Sequence, residues 1–267
     1  MSNPNMDNLT PHAYAATQPP QPDGPKMSTV ETLTGIFFEP GRTFESLRAH
    51  PRFIAATLIT AILTCVFTFA FFQRAGYENV MRAAIENSPR ADQMSPEDKE
   101  RAVGFYQNPV LKAINYVSPI IAVVIIYGLG AAIYLLGVML MGRSISYWQS
   151  LSVWAYASFA PNLLTILVSF ILLFLKSQDE LATMQPGRSL ARANLGILVD
   201  PKATPVLAAL LGSFDIFIFY GLFLAALGLR KVARLSSGAA WGIVIGLWLI
   251  GIVIKIALAA ATGTVIG

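Results

Sequence analysis

Apolar residues in this chain collect into five long runs, over 53–73, 117–141, 151–175, 206–229 and 241–262. Inside those runs the only charged residues are Asp215 and Lys255. Each run is close to the roughly 20 residues that a helix needs to cross the hydrocarbon core of a bilayer. The pattern therefore predicts five transmembrane helices. Residues 1–27 are polar and carry Pro19, Pro20, Pro22 and Pro25, so they read as a disordered tail that cannot bury enough apolar surface to order itself. Between the tail and the first run, Ser28 with Glu31 has capping-box spacing for a short helix, which Pro40-Gly41 breaks before a second one around Phe44 and Leu47. Both pieces are too short to span. They suit amphipathic helices lying in the headgroup plane, or a capping segment packed on the end of the bundle.

The gaps between runs differ in kind. The first, 74–114, holds six basic and six acidic residues, and Ser95-Pro96-Glu97-Asp98 supplies an N-cap, a first-turn proline and first-turn acids for a helix. A preceding helix near Tyr77 makes this gap a helical hairpin. The third gap is also long and holds Pro186-Gly187, whereas the second and fourth are short and basic. The expected organisation is a tail (1–27), an interfacial segment (28–52) and a five-span domain (53–267) with an outward helical loop (74–114). The fold class is all-α integral membrane, a five-helix transmembrane bundle preceded by short interfacial amphipathic helices.

Composition agrees: of 267 residues, 55% are hydrophobic and only 13% charged, well below the usual soluble share. Lysine and arginine fix the orientation. Arg42, Arg48 and Arg52 precede the first run, Arg143 lies in the second gap, and Arg230, Lys231 and Arg234 crowd the fourth. With five spans these regions share one side, so the N-terminus is placed in the cytoplasm and the C-terminus outward. Tyr147, Trp148 and Trp241 fall at cytoplasmic interfaces, as an aromatic belt would. The net charge of +4 needs no nucleic acid, because no basic cluster interleaves with aromatics. The first thirty residues lack the apolar core of a signal peptide, and the single cysteine, Cys65, permits no disulfide within the chain.

Three stretches carry a resemblance: Phe37-Phe38-Glu39-Pro40 with Phe44, Leu47 and Pro51; Ala155-Tyr156-Ala157-Ser158-Phe159-Ala160-Pro161; and Asp215-Ile216-Phe217 followed by Gly228-Leu229 and a basic turn. In order and spacing, over about residues 30–260, they resemble the YIP family of five-pass membrane proteins, named for interaction with Ypt/Rab GTPases. The resemblance implies a cytosolic N-terminus, five helices, a role in membrane organisation or trafficking, and no enzymatic activity. The long outward loop and the short tail depart from the eukaryotic pattern, and the tail holds no recognisable GTPase-contacting motif. We therefore expect a bacterial member in the inner membrane.

Asp215 and Lys255 are the first candidates for function, because ionisable groups inside spans are rare and normally paired or functional. Counting 1.5 Å per residue puts them at similar depth, about 13 and 10 Å, on neighbouring antiparallel helices. They could form a structural ion pair or a proton or cation relay. Polar rows at helical period run along three other spans: Thr57, Thr60, Thr64 and Thr68; Tyr127, Gly130, Tyr134 and Gly137; Ser158, Asn162, Thr165 and Ser169. Such rows are packing seams, or they line a wet cavity if they converge on Asp215. Asn162 stands beside Pro161, which frees a carbonyl. Gly242 and Gly246 form a GxxxG, pointing to helix pairing or a homo-oligomer.

Both histidines, His12 and His50, lie outside the runs, and neither a GxSxG elbow nor a phosphate-binding GxxxxGK[ST] loop is present. No enzyme, metal or cofactor is expected. The leading expectation is a non-enzymatic YIP-type adaptor or organiser, with the lipid bilayer and a protein at the cytoplasmic face as its partners. The alternative is a small transporter or channel-like protein built on Asp215, Lys255, Asn162, Ser158 and Thr165.

Overall fold

The computed structural model describes residues 25–88, 90–182, 190–191, 193–201 and 203–265, the side chains of 179 and 182 excepted. The tail expected over 1–27 thus lies, but for its last three residues, outside the described ones. Among the described residues the chain is helical, with one isolated bridge between Asn194 and Asp215. Four helices are long and apolar enough to cross a membrane. They are α3 (Ile54–Ala75), α6 (Pro109–Leu140), α7 (Tyr147–Leu175) and α11 (Ser237–Thr262).

Two short helices precede them, α1 (Thr29–Phe38) and α2 (Pro40–Ala49). The Ser28 hydroxyl accepts from the Glu31 amide at 3.2 Å while the Glu31 carboxylate accepts from the Ser28 amide at 2.6 Å, closing the capping box. Pro40 starts α2 because its missing N–H falls where a helix has no acceptor to offer. Phe44 and Leu47 pack on protein. Both are fully buried, packed with Ile36, Leu224 and Leu229 in the main core, so α2 caps the bundle and its apolar stripe is spent on protein. Of the interfacial segment, Phe38 alone among the four apolar residues singled out is strongly exposed, at 85%, while Phe37 meets Phe159 edge-on at 6.1 Å.

The central element is α7, which packs against α3, α6 and α10 (Ile216–Val232) and also touches α1 and α2. Its Tyr156 is fully buried and donates to the Thr32 hydroxyl at 3.1 Å, pinning α1 to the bundle. Ser150 donates to the Ala131 carbonyl at 2.6 Å and Tyr147 to that of Gly128 at 3.1 Å, tying α7 to α6. Gln149 reaches the Arg48 carbonyl of α2 at 2.8 Å. At the opposite end, α4 (Tyr77–Glu86) and α5 (Pro96–Tyr106) form a hairpin joined by Arg82, which pairs with Glu100 and, at 3.3 Å, with Glu78. The Arg82 hydrogen bond holds the Glu100 carboxyl below its ordinary pKa. Arg74, ending α3, donates to the Leu173 carbonyl of α7 at 2.8 Å, and the short α8 (Gln178–Ala182) packs beside it.

The fourth run departs from expectation. In place of one helix over 206–229, the chain forms α9 (Pro205–Gly212) and α10 (Ile216–Val232), broken at Ser213-Phe214-Asp215. At 17 residues α10 is about 25 Å long, shorter than the other four. The cause is Asp215, which in a continuous apolar helix would be an unsatisfied carboxylate in hydrocarbon. Ending α9 before it frees backbone N–H groups that the carboxylate can bind. An aromatic cluster seats the break on α11, with Trp248 5.5 Å from the Phe214 ring and 5.8 Å from that of Phe219. The other end of α10 is locked to α2. Lys231 pairs with Glu45 at 2.6 Å, so the basic turn does have an acid to balance it, supplied from a distant stretch of sequence.

Candidate functional site

The break at Asp215 opens beside a cavity of about 620 Å³ lined by residues of α6, α7, α9, α10, α11 and the segment after α8. All five polar residues singled out from the apolar runs, Ser158, Asn162, Thr165, Asp215 and Lys255, contribute to its wall. The interfacial residues Phe37, Phe38, Pro40, Phe44 and Leu47 do not line it.

Asp215 is the N-cap of α10 and is 7% exposed. One carboxylate oxygen accepts from the amides of Phe217 at 2.8 Å and Ile218 at 3.4 Å. The other accepts from the Ala193 amide at 3.2 Å and from the Asn194 side chain at 3.3 Å. Four N–H donors, two of them from the first turn of α10, fix the carboxylate in place. They also fasten the segment carrying Asn194 over the cavity mouth. Lys255 lies on α11 across the same cavity, yet it forms no ion pair with Asp215. Among the described residues it has neither an ion pair nor a hydrogen bond. Of the two arrangements considered for Asp215 and Lys255, the direct ion pair is not formed: the carboxylate is already bonded by nearby backbone and by Asn194.

α7 runs unbroken through Pro161. Thr165 donates to the Pro161 carbonyl at 2.9 Å, while the Asn162 amide reaches the Tyr127 hydroxyl at 3.4 Å, with Thr60 and Ser158 close to the same phenol. The threonine row of α3 behaves differently. Thr60, Thr64 and Thr68 each donate to the carbonyl four residues earlier, at 2.8–2.9 Å, so this row is a helix seam outside the cavity.

The end of the cavity nearer α2 is aromatic. Tyr134 and Trp154 meet at 4.7 Å between ring centroids. The indole lies directly on Gly130, where any Cβ would collide with its ring atoms, so this glycine is required for the tryptophan to sit in the wall. Tyr134 is 7% exposed and lines the cavity, and its hydroxyl has no partner among the described residues. Sequence reasoning placed Tyr134 and Gly130 on one face but missed Trp154, which carried no polar or charged signal. It also missed the 190–201 segment, whose place depends on a bond to Asp215 made across some twenty residues of chain. Among the described residues no group of His, Cys, Asp or Glu side chains is arranged to hold a metal.

A family model described as the Yip1 domain matches residues 34–258, which include the second half of α1, α2 and every residue named above in the cavity wall. The chain belongs to the Yip1 family. No curated protein and no solved structure matches it. The Ala155–Pro161 stretch that carried the resemblance lies at the centre of this Yip1 chain, with every residue but Ser158 buried. Ser158 instead faces the cavity. The stretch therefore serves packing on one side and the cavity wall on the other.

Proposed function

We infer that this Yip1-family membrane protein works without catalysis, by accepting a small amphipathic guest into the cavity beside its broken fourth run. The observation that carries this reading is the convergence of Ser158, Asn162, Thr165, Asp215 and Lys255, drawn from two helices and a helix break, on one space. A dry packing seam would have joined them to one another. Instead the volume falls within the range of small-molecule sites, and a discontinuous helix at the wall is how membrane proteins bring backbone polarity to a ligand. The cytoplasmic placement of the α2 end, the outward placement of the C-terminus and a bacterial inner membrane belong to the same reading, supported by the lysines and arginines of the α2 end.

A second reading, an adaptor that binds a protein at the cytoplasmic face, is favoured by exposed Phe38 and Val30 on α1. The two part in one experiment. Native mass spectrometry of the gently solubilised wild-type chain is expected to show a retained small molecule or lipid, lost when Ile218 in the cavity wall is replaced by Trp. A stoichiometric protein partner that persists in Ile218→Trp, with no small molecule in either sample, would sink the cavity reading and install the adaptor.

A further inference from the structure

We propose that the guest is an amphiphile with an anionic headgroup, held at Lys255 with its apolar tail running along α7 toward Trp154. This rests on the cavity reading above and names its ligand class. Among the described residues Lys255 is the sole cation in the cavity wall, and it has no protein partner. A cation left alone on an apolar helix at this depth is unfavourable, and an anion brought in by a guest relieves it. The one carboxylate nearby does not compete: both oxygens of Asp215 are occupied by N–H donors, and its charge is opposed by the start of α10. For the same reason a cationic guest is disfavoured, because the only acid in the wall among the described residues has no free lone pair directed at it.

The rest of the cavity has the shape and polarity of a tail site. From Thr165 to Trp154 it follows α7 for eleven residues, about 16 Å. Polar groups gather at the Thr165 end, near Asp215 and Lys255. Toward the other end the wall is made by Leu222, Ala157 and the rings of Trp154 and Tyr134, where the Tyr134 hydroxyl and the buried Trp154 Nε1 have no hydrogen-bond partner among the described residues. A free inorganic anion would use the first end and leave the second empty. An amphiphile fills both.

The test uses the full chain, delipidated in a mild detergent, and four probes of which three share one tail: palmitate, palmitoyl lysophosphatidic acid, monopalmitoylglycerol and inorganic phosphate. Either or both anionic amphiphiles are expected to bind at least tenfold tighter than the neutral glyceride. The tighter of the two identifies a carboxylate or a phosphate head. Lys255→Met should bring the anions down to the level of the glyceride, while Lys255→Arg keeps the preference and shows that the fold survives at this position. Equal binding of all three tailed probes, unchanged in Lys255→Met, overturns the anionic assignment while leaving the cavity reading standing. Binding of none of them, by wild type and Ile218→Trp alike, overturns the cavity reading itself. Binding of inorganic phosphate as tightly as the lipids overturns the amphiphile and leaves an ion site.

Discussion

The two ends of α10 are built on opposite principles. At the α2 end, Leu229 and Phe44 are fully buried, and Gly228 lets the phenyl ring approach so closely that a Cβ there would stand 2.8 Å from both the ring and Val153. Side chains interlock with no space left over, and the one cation drawn in, Lys231, is paired with Glu45. At the other end the same helix begins at a break, its cap reaches across to a loop, and Lys255 stands beside a cavity without a partner among the described residues. The contrast indicates that the α2 end fixes the fold and the break end is available for function, since stability and an open polar space cannot be maximised in one place.

The sharpest way to break that comparison is Phe44→Ala. Removing a fully buried phenyl against Gly228 should cost about 3–5 kcal/mol and lower the thermal midpoint of the purified protein substantially. An unchanged midpoint would show that the α2 end is not the anchor. Next in size is Asp215→Ala, for which loss of an N-cap costs about 1–2 kcal/mol. Hydrogen exchange should rise at the start of α10 and over residues 193–196 while α2 stays protected. Adding Lys255→Met should change stability by the sum of the single effects, because the two groups do not pair; positive coupling would restore the ion pair that the structure removes. The smallest effect concerns the α4–α5 hairpin. Glu100 has its pKa lowered by the Arg82 hydrogen bond, so the pair contributes above the ordinary carboxylate pKa and is lost as pH falls through the lowered value. Spin labels on α4 and α5 should separate on acidification, whereas Glu100→Gln should already be loosened at neutral pH and respond little to acid.

Much of the fold was legible because apolar runs longer than a span have few alternatives in a bilayer. The helices α3, α6, α7 and α11 overlap four of the runs, and the Ser28 and Ser95 caps follow from short-range spacing. The fourth run misled for an identifiable reason. Hydropathy averages over a window, so one aspartate among leucines and phenylalanines barely lowers the mean, yet that aspartate dictates where the backbone must stop being helical. The pairing of Asp215 with Lys255 failed on the same point: the break supplies the carboxylate with backbone N–H donors that a continuous helix would not.

The sequence by itself determined a helical membrane protein of the Yip1 kind, the polar residues worth watching, and the Ser28 and Pro40 signals that start the first two helices. These are set by local chemistry: hydrophobic length, caps and proline. Only the tertiary structure decided that Phe44 and Leu47 face the bundle core, that Asp215 is satisfied by backbone N–H groups from two separate stretches, and that Ser158, Asn162, Thr165 and Lys255 look into one space. Those outcomes depend on which faces of α7, α10 and α11 meet. That choice is made by close packing at residues such as Gly228 and Gly130, where the absence of a side chain carries the information.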